Sequence, residues 1–238
     1  MKQNKRIAFV AGSTGYVGQA VVAALRDRNL ECIAHIRPQS SSAVRLQPHF
    51  ESLGAKVDCV AWELDALSES LRAHKPSHVF CLIGTTRKQA AAEGMSDNIY
   101  ERIDLRLTSM LIEAARNSGQ SPRFVYLSSI GAKSGAKSKY LQARGRAEEM
   151  LQESGLPYVI ARPSFITGSD RDEARPLERV TASLSDGALS LVSLFGAKKL
   201  KKKYQSTSGT EFAHRLVDLA LGSEQGIFEG ASLSGVSR

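Results

Sequence analysis

This sequence predicts an α/β fold built on a doubly wound parallel sheet. Three observations carry that prediction. Short apolar runs alternate with helix-period segments at least five times along the chain. The runs are nearly continuous in apolar residues, as strands buried on both faces of a parallel sheet require. The first run ends in "GSTGYVG", residues 12–18, between a strand pattern and a helical one.

The elements follow in order. "RIAFVAG" (6–12) is the first strand, closed by glycine. Val17, Val21, Ala24 and Leu25 recur at helical spacing and predict a helix packed on the sheet. "LECIAHIR" (30–37) is the second strand and "AKVDCVAWE" (55–63) the third. Between them, "PQSSSAVRLQPHFESLG" starts as a polar loop and turns helical. "ALSESLRAH" (66–74) is a short helix, and "PSHVFCLIG" (76–84) is the fourth strand. Ile103, Leu107, Met110, Leu111 and Ala114 form the apolar stripe of a helix ending near Gly119. "RFVYLSS" (123–129) is the fifth strand. A helix follows from Tyr140 to Glu153, with Ala143, Ala147, Met150 and Leu151 inward. "PYVIARPSFITG" (157–168) is the sixth strand. Right-handed crossovers then give the strand order 3-2-1-4-5-6.

After Gly168 the rhythm weakens, and residues 165–210 are expected to form a small C-terminal substrate-side lobe or lid. Ala213, Leu216, Val217, Ala220 and Leu221 mark a last amphipathic helix, and "GIFEGASL" a last short strand. The 238 residues read as a single domain.

Composition excludes several classes. Hydrophobic residues make up 42% of the chain, which a disordered protein does not reach. No stretch approaches 18 uninterrupted apolar residues, so no membrane span is expected and the expected location is cytoplasmic. Cys32, Cys59 and Cys81 fall in strand-like runs without CxxC spacing and read as buried free thiols. The five histidines are scattered, and Pro76 separates His74 from His78, so no metal site is expected. Lys and Arg exceed Asp and Glu by 32 − 24 = 8. Part of the excess is "KKLKKK" (198–203), either a solvated stretch or an acidic-partner patch. No aromatic interleaving accompanies it, so nucleic acid is not an expected partner.

The glycine turn points to a phosphate ligand. A tight turn after the first strand brings bare backbone against a pyrophosphate, and the next helix aims its free N–H groups at that anion. Gly12 permits the turn, Gly15 the close approach of phosphate, and Gly18 the close packing of helix on strand. Ser13, Thr14, Tyr16 and Val17 complete the loop. The strand before, the helix after and a second strand within about 30 residues make this a dinucleotide-binding (Rossmann) pattern.

The end of the second strand selects the dinucleotide. It reads "AHIRPQSSS", without the acid that hydrogen-bonds a ribose 2′-hydroxyl in NAD-specific folds. Arg37 stands there instead, with Ser40 and Ser41 as further donors. A guanidinium suits a 2′-phosphate, so NADP(H) is the expected cofactor.

The spacing GxxGxxG, with "CLIGTTR", "LSSIGAKSGAKSKYLQARGRAEEML" and "ARPSFITG", resembles the atypical short-chain dehydrogenase/reductase proteins, in their NAD(P)H-binding, TIP30-like and NmrA-like group. The resemblance covers roughly residues 6–170. It implies that Asp65 contacts the adenine amino group, and that Gly84, Thr85 and Arg87 pass beside the adenosine and ribose. It further implies a Tyr general acid or base, a Lys four residues later on the same helix face, and a Ser at the end of the fifth strand that orients the substrate oxygen. Here Tyr140 opens "YLQAR", so Arg144 holds the lysine position, and Ser128 and Ser129 end the strand. Spacing i, i+4 keeps Tyr140 and Arg144 on one face, and Tyr140 as a packing residue is the alternative. Arginine retains the charge but does not deprotonate. Pro163 matches a proline beside the nicotinamide.

Two functions fit these residues. One is an NADP(H)-dependent oxidoreductase reducing a small carbonyl compound, with Ser128, Ser129, Tyr140 and Arg144 as its catalytic set. The other is a non-catalytic NADPH-binding regulator acting through a protein partner. A monomer and a homodimer are equally compatible with the sequence.

Overall fold

The computed structural model describes residues 6–84, 99–163, 166–167 and 207–233. Strand β1 (Ile7–Ala11) leads through the glycine turn into α1 (Tyr16–Asp27). Then come β2 (Glu31–His35), α2 (Ala43–Ser52), β3 (Lys56–Asp58), α3 (Leu64–His74) and β4 (His78–Cys81). A π-helical turn (Tyr100–Leu105) opens α4 (Arg106–Asn117), followed by β5 (Arg123–Leu127), α5 (Lys139–Glu153) and β6 (Tyr158–Arg162). Two short strands, β7 (Ile166–Thr167) and β8 (Thr207–Ser208), precede α6 (Gly209–Leu221) and β9 (Gly226–Glu229).

The main sheet runs β3-β2-β1-β4-β5-β6-β9. All its pairings are parallel. The expected order 3-2-1-4-5-6 therefore holds, and "GIFE" adds a seventh strand, with Ile227 opposite Ile160. Successive residues of a strand face opposite sides of the sheet, so each inner strand feeds two cores, while the edge strands β3 and β9 reach one through Val57 and Phe228. Ala8 and Val10 of β1 join a core with α1, α2 and α6, through Val21, Leu25, Phe50 and Leu216. Phe9 and Ala11 join the other, with α3, α4 and α5, through Leu71, Leu111, Ala147 and Leu151. This two-sided burial is the reason the strands read as unbroken apolar runs.

Four details depart from expectation. The third strand ends at Asp58, whose Oδ1 accepts the Val60 N–H at 2.8 Å and turns the chain off the sheet. Cys59 sits at that turn and is exposed, while Cys32 and Cys81 are buried. The sixth strand ends at Arg162, because Pro163 has no N–H to continue the ladder, and Ile166–Thr167 pair instead with Thr207–Ser208. Met150 is 43% exposed, because the inner face of α5 follows the four-residue rows 140-144-148 and 143-147-151. Most of the expected lobe, with the lysine run, lies outside the described residues, as do Thr85 and Arg87. Among the described residues no helix is long and apolar enough to cross a membrane.

Candidate functional site

The site lies at the carboxyl ends of the strands, where β1 stands between β2 and β4 and the chain's direction of travel across the sheet reverses. The glycine turn is shaped by contacts that only glycine permits. Gly12 takes a left-handed φ of +82°, and a Cβ there would stand 2.7 Å from the Leu82 carbonyl carbon. A Cβ on Gly18 would stand 2.1 Å from the Gly12 oxygen. Gly15 differs: its backbone is extended, and its Cβ would meet nothing closer than 3.4 Å. The bare backbone at Gly15 lines the cleft and is what a phosphate cradle requires. Helix α1 starts there with no acidic residue in its first turn, leaving its positive end unopposed. Ser13 is buried, and its Oγ donates to the His35 carbonyl at 2.6 Å, tying the turn to β2. Tyr16 packs on the start of α6, where a Cβ on Gly209 would stand 2.3 Å from its ring.

A cleft of about 160 Å³ opens beside this turn, lined among others by Gly12, Thr14, Gly15, Arg37, Leu82 and Gly84. Arg37 is exposed at the cleft and free to meet an anion there. Ser40 shares a hydrogen bond of 3.3 Å with Ser42 and is not among the lining residues. Asp65 is exposed in the first turn of α3 and does not line the cleft either. His35 and Trp62 occupy that wall instead. His35 is buried, lies 2.9 Å from the Val60 carbonyl through Nε2, and meets the Trp62 ring edge-on at 5.0 Å. Burial lowers its pKa below the usual histidine value, which favours the neutral imidazole.

The substrate side is built on α5, whose inner face carries Tyr140, Arg144 and Glu148 four residues apart. Arg144 is engaged by acceptors of the protein itself. Its Nη1 donates to the Leu127 carbonyl at 2.6 Å and the Tyr126 hydroxyl at 3.3 Å. Its Nη2 donates to the Ile83 carbonyl at 3.0 Å and to Asp104 at 2.6 Å. The guanidinium also faces the rings of Tyr126 and Tyr140, at 5.6 and 5.4 Å. Gly84 makes room for it, since a Cβ there would stand 2.4 Å from Arg144 Nη2. Burial opposes the charge on Arg144, but Tyr126, Tyr140 and Asp104 hold its pKa well above the ordinary value. Burial in turn pushes the Tyr126 hydroxyl upward and keeps it neutral.

The two serines part company. Ser128 is buried and donates its hydroxyl to Glu148, which also receives Arg162. Its proton is committed to a carboxylate. Ser129 is half-buried, and its hydroxyl donates to the Ile130 carbonyl at the limiting distance of 3.5 Å. Tyr140 is half-buried, with its ring edge-on to Tyr100 at 5.4 Å. Pro163 follows β6, and its carbonyl accepts Ile130 N–H at 3.3 Å, joining the two strand ends.

Sequence reasoning missed His35, Trp62, Asp104 and Glu148. The signal for the acids was there: Asp104 stands beside the apolar stripe of its helix, and Glu148 is four residues past Arg144. An acid on an inward face implies a buried partner.

Comparison with known proteins agrees with this geometry. Residues 12–191 match the family described as NAD(P)H-binding. The mitochondrial protein fmp52-1 of Aspergillus terreus is 32% identical over 174 residues, covering 70% of this chain and 69% of that protein. The rat protein HTATIP2 is 27% identical over 177 residues, covering 74% and 68%. Among solved structures, a Bacillus halodurans protein of the NAD-dependent epimerase/dehydratase type superposes with a TM-score of 0.65 at 18% identity, covering 93% of this chain and 91% of that one. At that identity the likeness is one of fold.

Proposed function

This chain belongs to the NAD(P)H-binding family, and from that premise we propose that it is an NADP(H)-dependent oxidoreductase reducing a small carbonyl compound. The observation that carries the cofactor reading is Arg37, a free guanidinium at a cleft where no acid follows β2. A 2′-phosphate matches that cation, and the Gly15 backbone with the start of α1 matches the pyrophosphate. Gly12, Thr14, Gly15, Arg37 and Gly84 are the residues that would hold the cofactor. When bound, NADPH supplies hydride to the carbonyl carbon.

The chain's own part is proton delivery and orientation. Ser129 hydrogen-bonds the substrate oxygen. Tyr140 gives that oxygen its hydroxyl proton, and solvent returns a proton to the tyrosinate. Arg144 keeps a permanent charge against the Tyr140 ring face and fixes its position; it is a positioning residue rather than a ribose ligand. Tyr140→Phe tests the mechanism: turnover of an active carbonyl substrate falls by about 100-fold or more, with NADPH affinity retained. Unchanged turnover rejects it. We place the protein in the cytoplasm as a single domain; its three cysteines are free thiols.

The commitment of Arg144 to protein acceptors also favours a second reading, a non-catalytic NADPH-binding regulator. Partner affinity that changes with saturating NADPH, in a protein inactive on every carbonyl tried, supports that reading over the first.

A further inference from the structure

Asp58, the last residue of β3, is bonded to three other parts of the molecule. Its carbonyl accepts the Ile36 N–H at 2.9 Å, one residue before Arg37. Its carboxylate accepts the Val60 N–H through Oδ1 at 2.8 Å and so sets the turn that leaves the sheet. Oδ2 takes the Ser70 hydroxyl and lies 3.2 Å from His74 Nε2. Ser70 and His74 stand one turn apart on α3, so the carboxylate ties the end of β3 to that helix.

The residues that Asp58 holds reach the cleft. The Val60 carbonyl lies 2.9 Å from His35 Nε2, and a carbonyl only accepts, so that nitrogen carries the proton. His35 meets Trp62 edge-on, and both line the cleft. The His35 carbonyl takes the Ser13 hydroxyl of the glycine turn at 2.6 Å. Arg37 lines the same cleft, and its carbonyl closes a turn with the Ser40 N–H at 2.9 Å. Asp58 itself is not among the lining residues. A guanidinium–phosphate contact is directional. It keeps its strength only while the residues behind it hold it to about 0.5 Å.

We infer that Asp58 is a positioning residue for the discrimination between dinucleotides. Its carboxylate sets the turn that carries the His35–Trp62 wall, and with the adjoining end of β2 it fixes where Arg37 stands. This rests on the NADP(H) reading above. Loss of the side chain loosens the contact of Arg37 with a 2′-phosphate and leaves the glycine turn to hold the pyrophosphate. NADPH then loses affinity, and NADH largely keeps its own.

Trp62 is the chain's single tryptophan, so intrinsic emission reports on this wall alone. Dissociation constants for NADPH and NADH, the emission of the free protein and a thermal melt are measured for wild type, Asp58→Asn and Asp58→Ala. The asparagine amide oxygen still accepts the Val60 N–H. Asp58→Ala is expected to narrow the preference for NADPH over NADH by about fivefold or more and to shift the Trp62 emission. Asp58→Asn is expected to keep the preference within about twofold of wild type, with emission unchanged. A lower melting temperature in the alanine variant, with the preference intact, is the mark of a merely structural role and overturns the inference. Ser70→Ala combined with His74→Gln removes the partners of Oδ2 without altering β3, and it takes the place of Asp58→Ala if that variant does not fold. It is expected to move both readouts in the same direction by a smaller amount, and an unchanged preference there overturns the inference. Wild type without a preference for NADPH overturns the cofactor reading, and the inference with it.

Discussion

Arg144 Nη2 stands 2.6 Å from Asp104 Oδ1, and both side chains are buried. The pair joins the π-helical turn to α5 and reaches the ends of β4 and β5 through Ile83 and Leu127. Removing one member leaves an uncompensated charge in the core. Asp104→Ala is therefore expected to destabilise the fold by about 3–5 kcal/mol in urea unfolding. Arg144→Lys retains the charge but not the planar fork that serves two carbonyls and a carboxylate at once. It is expected to cost about 1–3 kcal/mol. A loss below about 0.5 kcal/mol for Asp104→Ala would show the pair to be incidental.

The glycine turn separates structure from binding. Gly18→Ala drives a Cβ into the Gly12 oxygen and is expected to lower both stability and nucleotide affinity. Gly15→Ala meets no such clash in the protein itself, with its Cβ 3.4 Å from the nearest atom. Its stability is expected to stay within about 0.5 kcal/mol of wild type. Its nucleotide affinity is expected to fall at least tenfold, about 1.4 kcal/mol. Thermal melts paired with titrations of both variants check the contrast.

The strand-end serines are expected to separate in the same way. Ser128→Ala removes a donor to the buried Glu148 and is expected to cost about 1–3 kcal/mol of stability. Ser129→Ala touches no buried partner and is expected to reduce kcat on a carbonyl substrate while leaving the melting temperature in place. Steady-state kinetics and melts on the two variants decide the assignment; the reverse pattern returns the catalytic role to Ser128.

His78 gives the fold a pH dependence. Burial, with Arg6 and Arg123 nearby, lowers its pKa to about 4. Between there and the ordinary value of 6.5, the unfolded chain binds a proton that the folded chain refuses. Stability is therefore fully present above about pH 6.5 and is lost as the pH falls toward 4. From pH 7 to pH 5 the loss from this residue is about 2 kcal/mol. Urea unfolding of wild type and His78→Gln across that range is expected to show the steeper decline in wild type.

The sheet was legible because parallel strands leave a strong trace: five crossovers, with the inner strands apolar on both faces. The order 3-2-1-4-5-6 follows from right-handed crossovers applied to the dinucleotide-binding pattern. What failed to read were events governed by single side chains. Asp58 capturing the Val60 N–H ended the third strand, and nothing in a valine-rich run announces that. The glycines of the phosphate turn were legible because their spacing encodes backbone geometry. Arg144 and Ser128 were not, because their place in the chain is separate from the acids that engage them, Asp104 and Glu148. Those pairings exist only after folding. Asp65 had a plausible position after the third strand, but the short strand places it on α3, exposed.

The cofactor preference is the claim on which the functional reading stands, and one titration tests it most directly. NADPH and NADH are titrated against wild type and Arg37→Ala, with binding followed by nicotinamide fluorescence. The account predicts NADPH binding at least tenfold tighter in wild type, about 1.4 kcal/mol, and loss of that preference in the variant. Equal affinities in wild type, or a preference that survives Arg37→Ala, would contradict it.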